Sequence, residues 1–123
     1  MQRLTKRADF VAAAAGPKVS APAFVLQGRP RVDEGPPRVG FTVSKKVGNA
    51  VERNRVRRRL REAVRLSDAA RFRDGNDYVL IGRRAALEAP FTRLMEDLAG
   101  ALKRIHSSRH ASRHRASSNQ STS

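Results

Sequence analysis

The chain has 123 residues, with 26 lysines and arginines against 11 acids, a formal net charge of +15 and a pI near 11.8. That length fits one domain with a small core, and the charge points to a polyanionic partner, nucleic acid before a membrane surface. No apolar run reaches the ~20 residues of a membrane span, the alanines after the basic N-terminus are too weakly apolar for a secretory segment, and the lack of cysteine excludes a disulfide scaffold, a thiol nucleophile and a Cys-based zinc site while fitting the cytoplasm.

The first periodic segment predicts a helix over 4–15, with Thr5 as its N-cap and Gly16-Pro17 as its stop. Leu4, Ala8, Val11 and Ala15 recur at helical spacing and form the expected buried stripe. Phe10 then projects to a flank with Arg3, Arg7 and Ala14. An aromatic ring framed by arginines suits stacking on a nucleobase, and equally a phenylalanine wedged into a core edge. A strand is expected within 19–27, chiefly Ala23 to Gln27, with Pro22 favouring an edge or a strand start. The breaker-rich stretch 28–37 reads as a mobile hairpin loop. Residues 38–44 alternate, placing Val39, Phe41 and Val43 on one side and Gly40, Thr42 and Ser44 on the other. The second, small and polar side can line a groove or lie as plain solvated sheet.

Lys45-Lys46-Val47-Gly48 turns the chain out of that strand. Asn49 with Glu52 predicts a capped helix over 50–66. Seven arginines fall between Arg53 and Arg65. Val56, Leu60, Ala63 and Val64 make the apolar stripe, while Asn54, Arg57, Arg58, Arg61 and Arg65 share a neighbouring face. Arg55, Arg59 and Glu62 occupy the third sector, and Arg53 lies near the margin of the stripe. Arginine forks match phosphate oxygens and stack on bases. One glutamate within the run cannot neutralise seven arginines, so a purely solvated helix face is the weaker account.

A polar connection over 67–76 leads to a strand over 77–83, apolar enough to be buried on both faces. Pro90 opens a last helix, whose stripe of Phe91, Leu94, Met95, Leu98, Leu102 and Ile105 reads as core. The folded domain is expected to span 1–105. Residues 106–123, with seven serines, three arginines and three histidines, read as a disordered basic tail. His106, His110 and His114 have helical spacing for a metal, but no core or carboxylate shell supports them there. With every histidine assigned to the tail, no Ser-His pair is available. No phosphate-binding glycine loop and no two-metal carboxylate pattern is seen, so neither catalytic nor metal-ligating side chains are expected.

The run from Arg38 to Ala63, with Ser44-Lys45-Lys46-Val47-Gly48 ahead of Arg53-Asn54-Arg55, resembles the signature of the bacterial ribonuclease P protein subunit, and the likeness extends over about 4–105. The resemblance implies an α-β-β-β-α-β-α two-layer sandwich of the α+β class, similar to a ribosomal-protein domain, with a left-handed βαβ crossover that general topology rules disfavour. It also implies a subunit of an endoribonuclease whose RNA partner cleaves the 5′ leader of precursor tRNA using magnesium. Arg53, Asn54, Arg55, Arg57, Arg58, Arg61 and Arg65, with Lys45 and Lys46, match the part that meets the RNA subunit. Phe10, Phe24, Arg3, Arg7, Thr42 and Ser44 would belong to a leader cleft between the first helix and the sheet. Two departures weaken that cleft: alanines follow Phe10 where many relatives place a second bulky residue, and Gln27 stands where some carry tyrosine. No membrane and no obligate protein partner is implied. A structural ribosomal-RNA binder or assembly protein is the alternative. A DNA reader using the arginine helix is disfavoured, because a strand and turn precede that helix.

Overall fold

The structure is a computed structural model that describes residues 1–118, with side chains described as far as Ser107. Along the chain run β1 (Gln2–Arg3), α1 (Arg7–Ala14), β2 (Lys18–Ser20), β3 (Phe24–Pro30), β4 (Arg38–Val43), α2 (Ala50–Leu66), β5 (Asn76–Gly82) and α3 (Phe91–Ser118). Short 3₁₀ turns lie at Lys45–Val47, Ala69–Arg71 and Arg84–Leu87. The sheet order is β1-β4-β5-β3-β2. β4 runs parallel to β1 and β5, while β3 runs antiparallel to β5 and β2. The class is mixed α+β, with β5 at the centre.

Alternation along β5 sorts the two faces. Tyr78 and Leu80 enter the main core, which α2 and α3 cover with Val56, Leu60, Leu94, Leu98 and Leu102. Val79 joins Leu4 and Ala13 in a smaller cluster under α1, with Phe10 and Ile81 packed against it. α1 therefore forms a layer of its own on the opposite face.

α2 has the predicted bounds, and its cap explains why. Glu52 N–H donates to Asn49 Oδ1 at 2.9 Å, and Asn49 N–H donates to Glu52 Oε1 at 3.0 Å, a reciprocal capping box. The stripe Val56, Leu60, Ala63 and Val64 is buried as expected.

α1 differs from expectation. It is shorter, and its N-cap is Lys6, with no side-chain cap from Thr5. Val11 is 61% exposed, whereas Ala13 is fully buried and Phe10 and Asp9 are half-buried. A run of alanines gives little apolar contrast around the helix. Two specific contacts set its rotation instead. Asp9 lies 3.6 and 3.5 Å from the guanidinium groups of Arg29 and Arg38. The Phe10 ring fills the space over Gly40, where an added Cβ would sit 2.6 Å from Phe10 Cζ.

The expected 28–37 loop is shorter, because β3 continues to Pro30 opposite Asn76. Its remainder is tied down by Arg31. That guanidinium donates to Asp77 Oδ1 at 2.8 Å, to the Asn76 carbonyl at 2.9 Å, to the Pro36 carbonyl at 3.0 Å and to Asp33. The Arg31 hydrogen bond, with a second from Gly35 N–H, holds the Asp33 carboxyl down at about 2.

α3 corrects the predicted tail boundary. Its backbone continues as helix through Ser118, and His106 is a core residue, 7% exposed. His106 Nε2 lies 3.1 Å from Tyr78 Oη and 3.3 Å from the Arg71 carbonyl. The side chains of His110 and His114 lie outside the described residues, as do residues 119–123.

Asp77 is fully buried and faces Arg29, Arg31 and Arg38 at 3.4, 2.8 and 2.7 Å. Burial pushes its carboxyl up, but hydrogen bonds from Arg38 and Arg31 outweigh burial and hold it below the usual carboxylate range. Asp77→Asn strips the three cations of their buried counter-charge. The expected loss is roughly 3–5 kcal/mol, read as a lower urea midpoint at unchanged slope. A depressed folded-state pKa stabilises fully above the unfolded value of about 3.9 and is lost as pH falls through the folded value. The parent protein should therefore lose stability more steeply below about pH 4 than Asp77→Asn; acid limbs of equal steepness would contradict this account of Asp77.

Candidate nucleic-acid interface

The face of α2 turned from the core carries Asn54, Arg58, Arg61 and Arg65 exposed and Arg57 half-buried. These residues come together as the spacing predicts. Arg57 donates to Asn54 Oδ1 at 3.1 Å, which leaves the Asn54 amide NH₂ turned to other partners. Arg65 is braced by Glu62, its Nε donating to Oε1 at 3.0 Å. That bond raises the Arg65 guanidinium and lowers the Glu62 carboxyl. Arg61 is lowered, first by desolvation and then by repulsion from Arg3, Arg57 and Arg58. Its Cζ lies 5.9 Å from the centroid of the Phe41 ring.

The other arginines of the run serve partly as structure. Arg59 donates to the carbonyls of Ala86 at 2.7 Å and Ala89 at 2.6 Å. Arg55 Nε donates to the Leu87 carbonyl at 3.2 Å. Together they fasten α2 to the turn after β5. Arg53 Nε reaches back to the Gly48 carbonyl at 3.2 Å, the return past the helix start that its marginal position required. Arg55 stays exposed, with its terminal NH₂ groups free of that contact.

Lys45 and Lys46 stand exposed on the 3₁₀ turn beside the N-terminus of α2. Arg84 holds this turn. It donates to the Val47 carbonyl and lies 3.3 Å from Glu52 Oε2. Hydrogen bonding to the Asn49 backbone, then to Arg84, keeps the Glu52 carboxyl low. Gly48 leaves room for that cap, since a Cβ there would sit 2.1 Å from Glu52 Oε1.

On the opposite face of the sheet, a cleft of about 520 Å³ opens between α1 and the strands. Gln27, Thr42, Val79 and Ile81 line its sheet side; Arg7, Phe10, Val11 and Ala14 line its helix side. Strand register explains the floor, because Gly40 and Gln27 flank Val79, while Thr42 and Val25 flank Ile81. Phe10 packs over Gly40 and also lines the cleft.

Three residues expected in the cleft lie elsewhere. Phe24 is 1% exposed in the main core, because β3 alternates with Phe24 and Leu26 facing α2 and α3. Arg3 lines a separate hollow beside α2. Ser44 is exposed past the end of β4 and is not part of the lining. Conversely, Val11, Val79 and Ile81 were missed, while Gln27 lines the cleft with which the resemblance associated it. The alternation from Phe24 already puts Gln27 on the face opposite the core, but only the pairing of β3 with β5 shows that α1 lies above it.

The carboxylates Asp9 and Asp77 are engaged by arginines, and among the described residues no three His, Asp or Glu side chains gather as a metal site.

The sequence model of the Ribonuclease P family matches residues 1–106. The ribonuclease P protein component of Paramagnetospirillum magneticum is 52% identical over 110 residues, covering 85% of this chain and 83% of that protein. That of Gluconacetobacter diazotrophicus is 52% identical over 103 residues, covering 83% and 89%. Among solved structures, the Thermotoga maritima RNase P protein superposes with a TM-score of 0.71 at 30% identity, covering 85% of this chain and 98% of that one. The Staphylococcus aureus RNase P protein gives 0.70 at 30% identity, covering 84% and 94%. The fold is thus shared with these proteins, and the chain belongs to the ribonuclease P family as its protein component.

Proposed function

We propose that this subunit uses the two faces of its sheet for two RNAs. The arginine face of α2, with Lys45 and Lys46, docks on the RNA subunit. The cleft under α1 holds the single-stranded 5′ leader of precursor tRNA, with Phe10 offering a ring to a base and Arg7 a charge to a phosphate. The observation that carries this reading is the placement of an apolar-floored, basic-edged cleft on the sheet face opposite the arginine helix. One protein can then meet both partners without competition. The setting is the cytoplasm, where precursor tRNAs are made.

Hydrolysis of the leader belongs in this reading to the RNA subunit, which binds the magnesium. The protein's share is positioning and charge neutralisation. Cations massed on α2 lower the repulsion between RNA segments, so less magnesium is needed to bring them together. The cleft contributes binding energy remote from the scissile phosphate, which orients the substrate.

Adding the purified chain to ribonuclease P RNA at low magnesium should raise the rate of precursor tRNA cleavage; no stimulation would overturn the reading. A leader-length series should then separate the faces. Phe10→Ala should weaken binding of leader-bearing precursor by about 1–3 kcal/mol, the worth of one stacked base, with affinity for mature tRNA unchanged. Phe10→Leu, which keeps apolar packing over Gly40 without the aromatic face, should lose nearly as much. Arg57→Ala should instead weaken RNA-subunit binding and reduce its salt slope by about one. Equal loss of leader discrimination in the Phe10 and Arg57 variants would refute the division of labour.

A further inference from the structure

Besides the cleft there is a second hollow, of about 280 Å³, on the α2 face of the sheet where β1, β4 and α2 meet. Its floor is apolar, made by Val39, Phe41 and Val64, and its rim carries Arg3, Arg61 and Arg65. Phe41 is half-buried, so part of its ring is covered and part is open. β1 is only two residues long and pairs β4 only as far as Val39, which leaves Phe41 uncovered at the sheet edge.

The charges around this hollow are poorly compensated. Neither Arg3 nor Arg61 has an ion-pair partner among the described residues, and only Arg65 has one, Glu62. Arg3, Arg57 and Arg58 all repel Arg61. Three guanidinium groups around an apolar floor match a ligand with a flat apolar face and an anionic edge, which is what one unpaired nucleotide offers. Arg61 Cζ stands 5.9 Å from the centroid of the Phe41 ring, so a cation already neighbours this aromatic surface.

We propose that this hollow is a stacking site for one unpaired nucleotide of the RNA subunit, its base over Phe41 and its phosphates between Arg3 and Arg61. The site adds base stacking to an interface otherwise made of arginine and phosphate, and it joins Arg3 and Phe41 to Arg61 and Arg65 of α2. It rests on the docking of α2 on the RNA subunit proposed above.

The chain contains no tryptophan, so Phe41→Trp installs a single fluorescent reporter at the floor of the hollow. The assay uses the full chain and ribonuclease P RNA without precursor tRNA, because Phe41 also borders the leader cleft. Complex formation is followed separately by filter binding. The expected result is tryptophan quenching at the same RNA concentration as binding, with loss of acrylamide access. Arg3→Ala should weaken the complex about fivefold to tenfold and lower the salt slope by about one. Binding by filter assay with unchanged emission and acrylamide access would overturn the stacking site and leave the docking helix standing. Absence of binding for the unsubstituted chain would overturn the docking reading itself. Phe41→Leu, which keeps apolar bulk, should bind about tenfold more weakly at an unchanged salt slope and unchanged thermal midpoint; full affinity in that variant would also overturn the proposal.

Discussion

The buried carboxylate of Asp77 decides where α1 can sit. It lies at the start of the central strand, with Arg38 beside it on β4 and Arg29 beside it on β3. A lone buried carboxylate costs several kcal/mol, so the site is tolerable only because Arg29, Arg31 and Arg38 converge on it. Those cations leave an excess of positive charge at the same end of the sheet, and Asp9 on α1 answers it through Arg29 and Arg38. The cluster works as a hinge pin. It draws one end of α1 onto the sheet, while further along the helix Phe10 and Ala13 make the remaining contact. The cleft is the gap left where the alanines are too short to close it.

The arginine helix shows how so basic an element stays folded. Its apolar stripe is complete without any of its arginines, so burial does not compete with charge. Arg55 and Arg59 are spent on the carbonyls of the turn after β5, where a guanidinium satisfies groups that a 3₁₀ turn leaves unpaired. The repulsion that remains is concentrated on the solvent face, around Arg57, Arg58 and Arg61. In the docking proposed above, an RNA phosphate would relieve that repulsion. Folding stability and the proposed RNA docking thus draw largely on different arginines of one helix.

What the sequence revealed depended on how local the signal was. α2 was legible to its end residues because a capping box, an apolar stripe and a polar face agree within one turn of each other. β5 was legible because its apolar run needs two covered faces. α1 was not, since alanines carry no facing information and its rotation is set by Asp9 and Phe10 through partners on other strands. Half of the expected cleft residues failed in the same way: Arg7, Phe10 and Thr42 line the cleft, and Arg3, Phe24 and Ser44 do not. Phe24 looked available because it is aromatic, yet strand phase sends it to the core, and Gln27 takes the floor. Arg3 was misplaced because β1 exists only by pairing with β4, a contact no local pattern announces. His106 was read as tail because it borders a serine- and arginine-rich run, whereas its ring completes the core beside Tyr78.

β4 and β5 connect the two surfaces. On β4, Val39 and Val43 support α2, while Gly40 and Thr42 face α1, so the arginine helix and the cleft are backed by alternate residues of the same strand. The arginine face and the cleft therefore lie on opposite sides of one sheet. A sheet paired on both sides of β5 is stiff. In the reading proposed above, this sheet separates the two RNAs, one on each face. With the chemistry assigned in that reading to the RNA, a spacer that also neutralises charge is the contribution proposed for the protein.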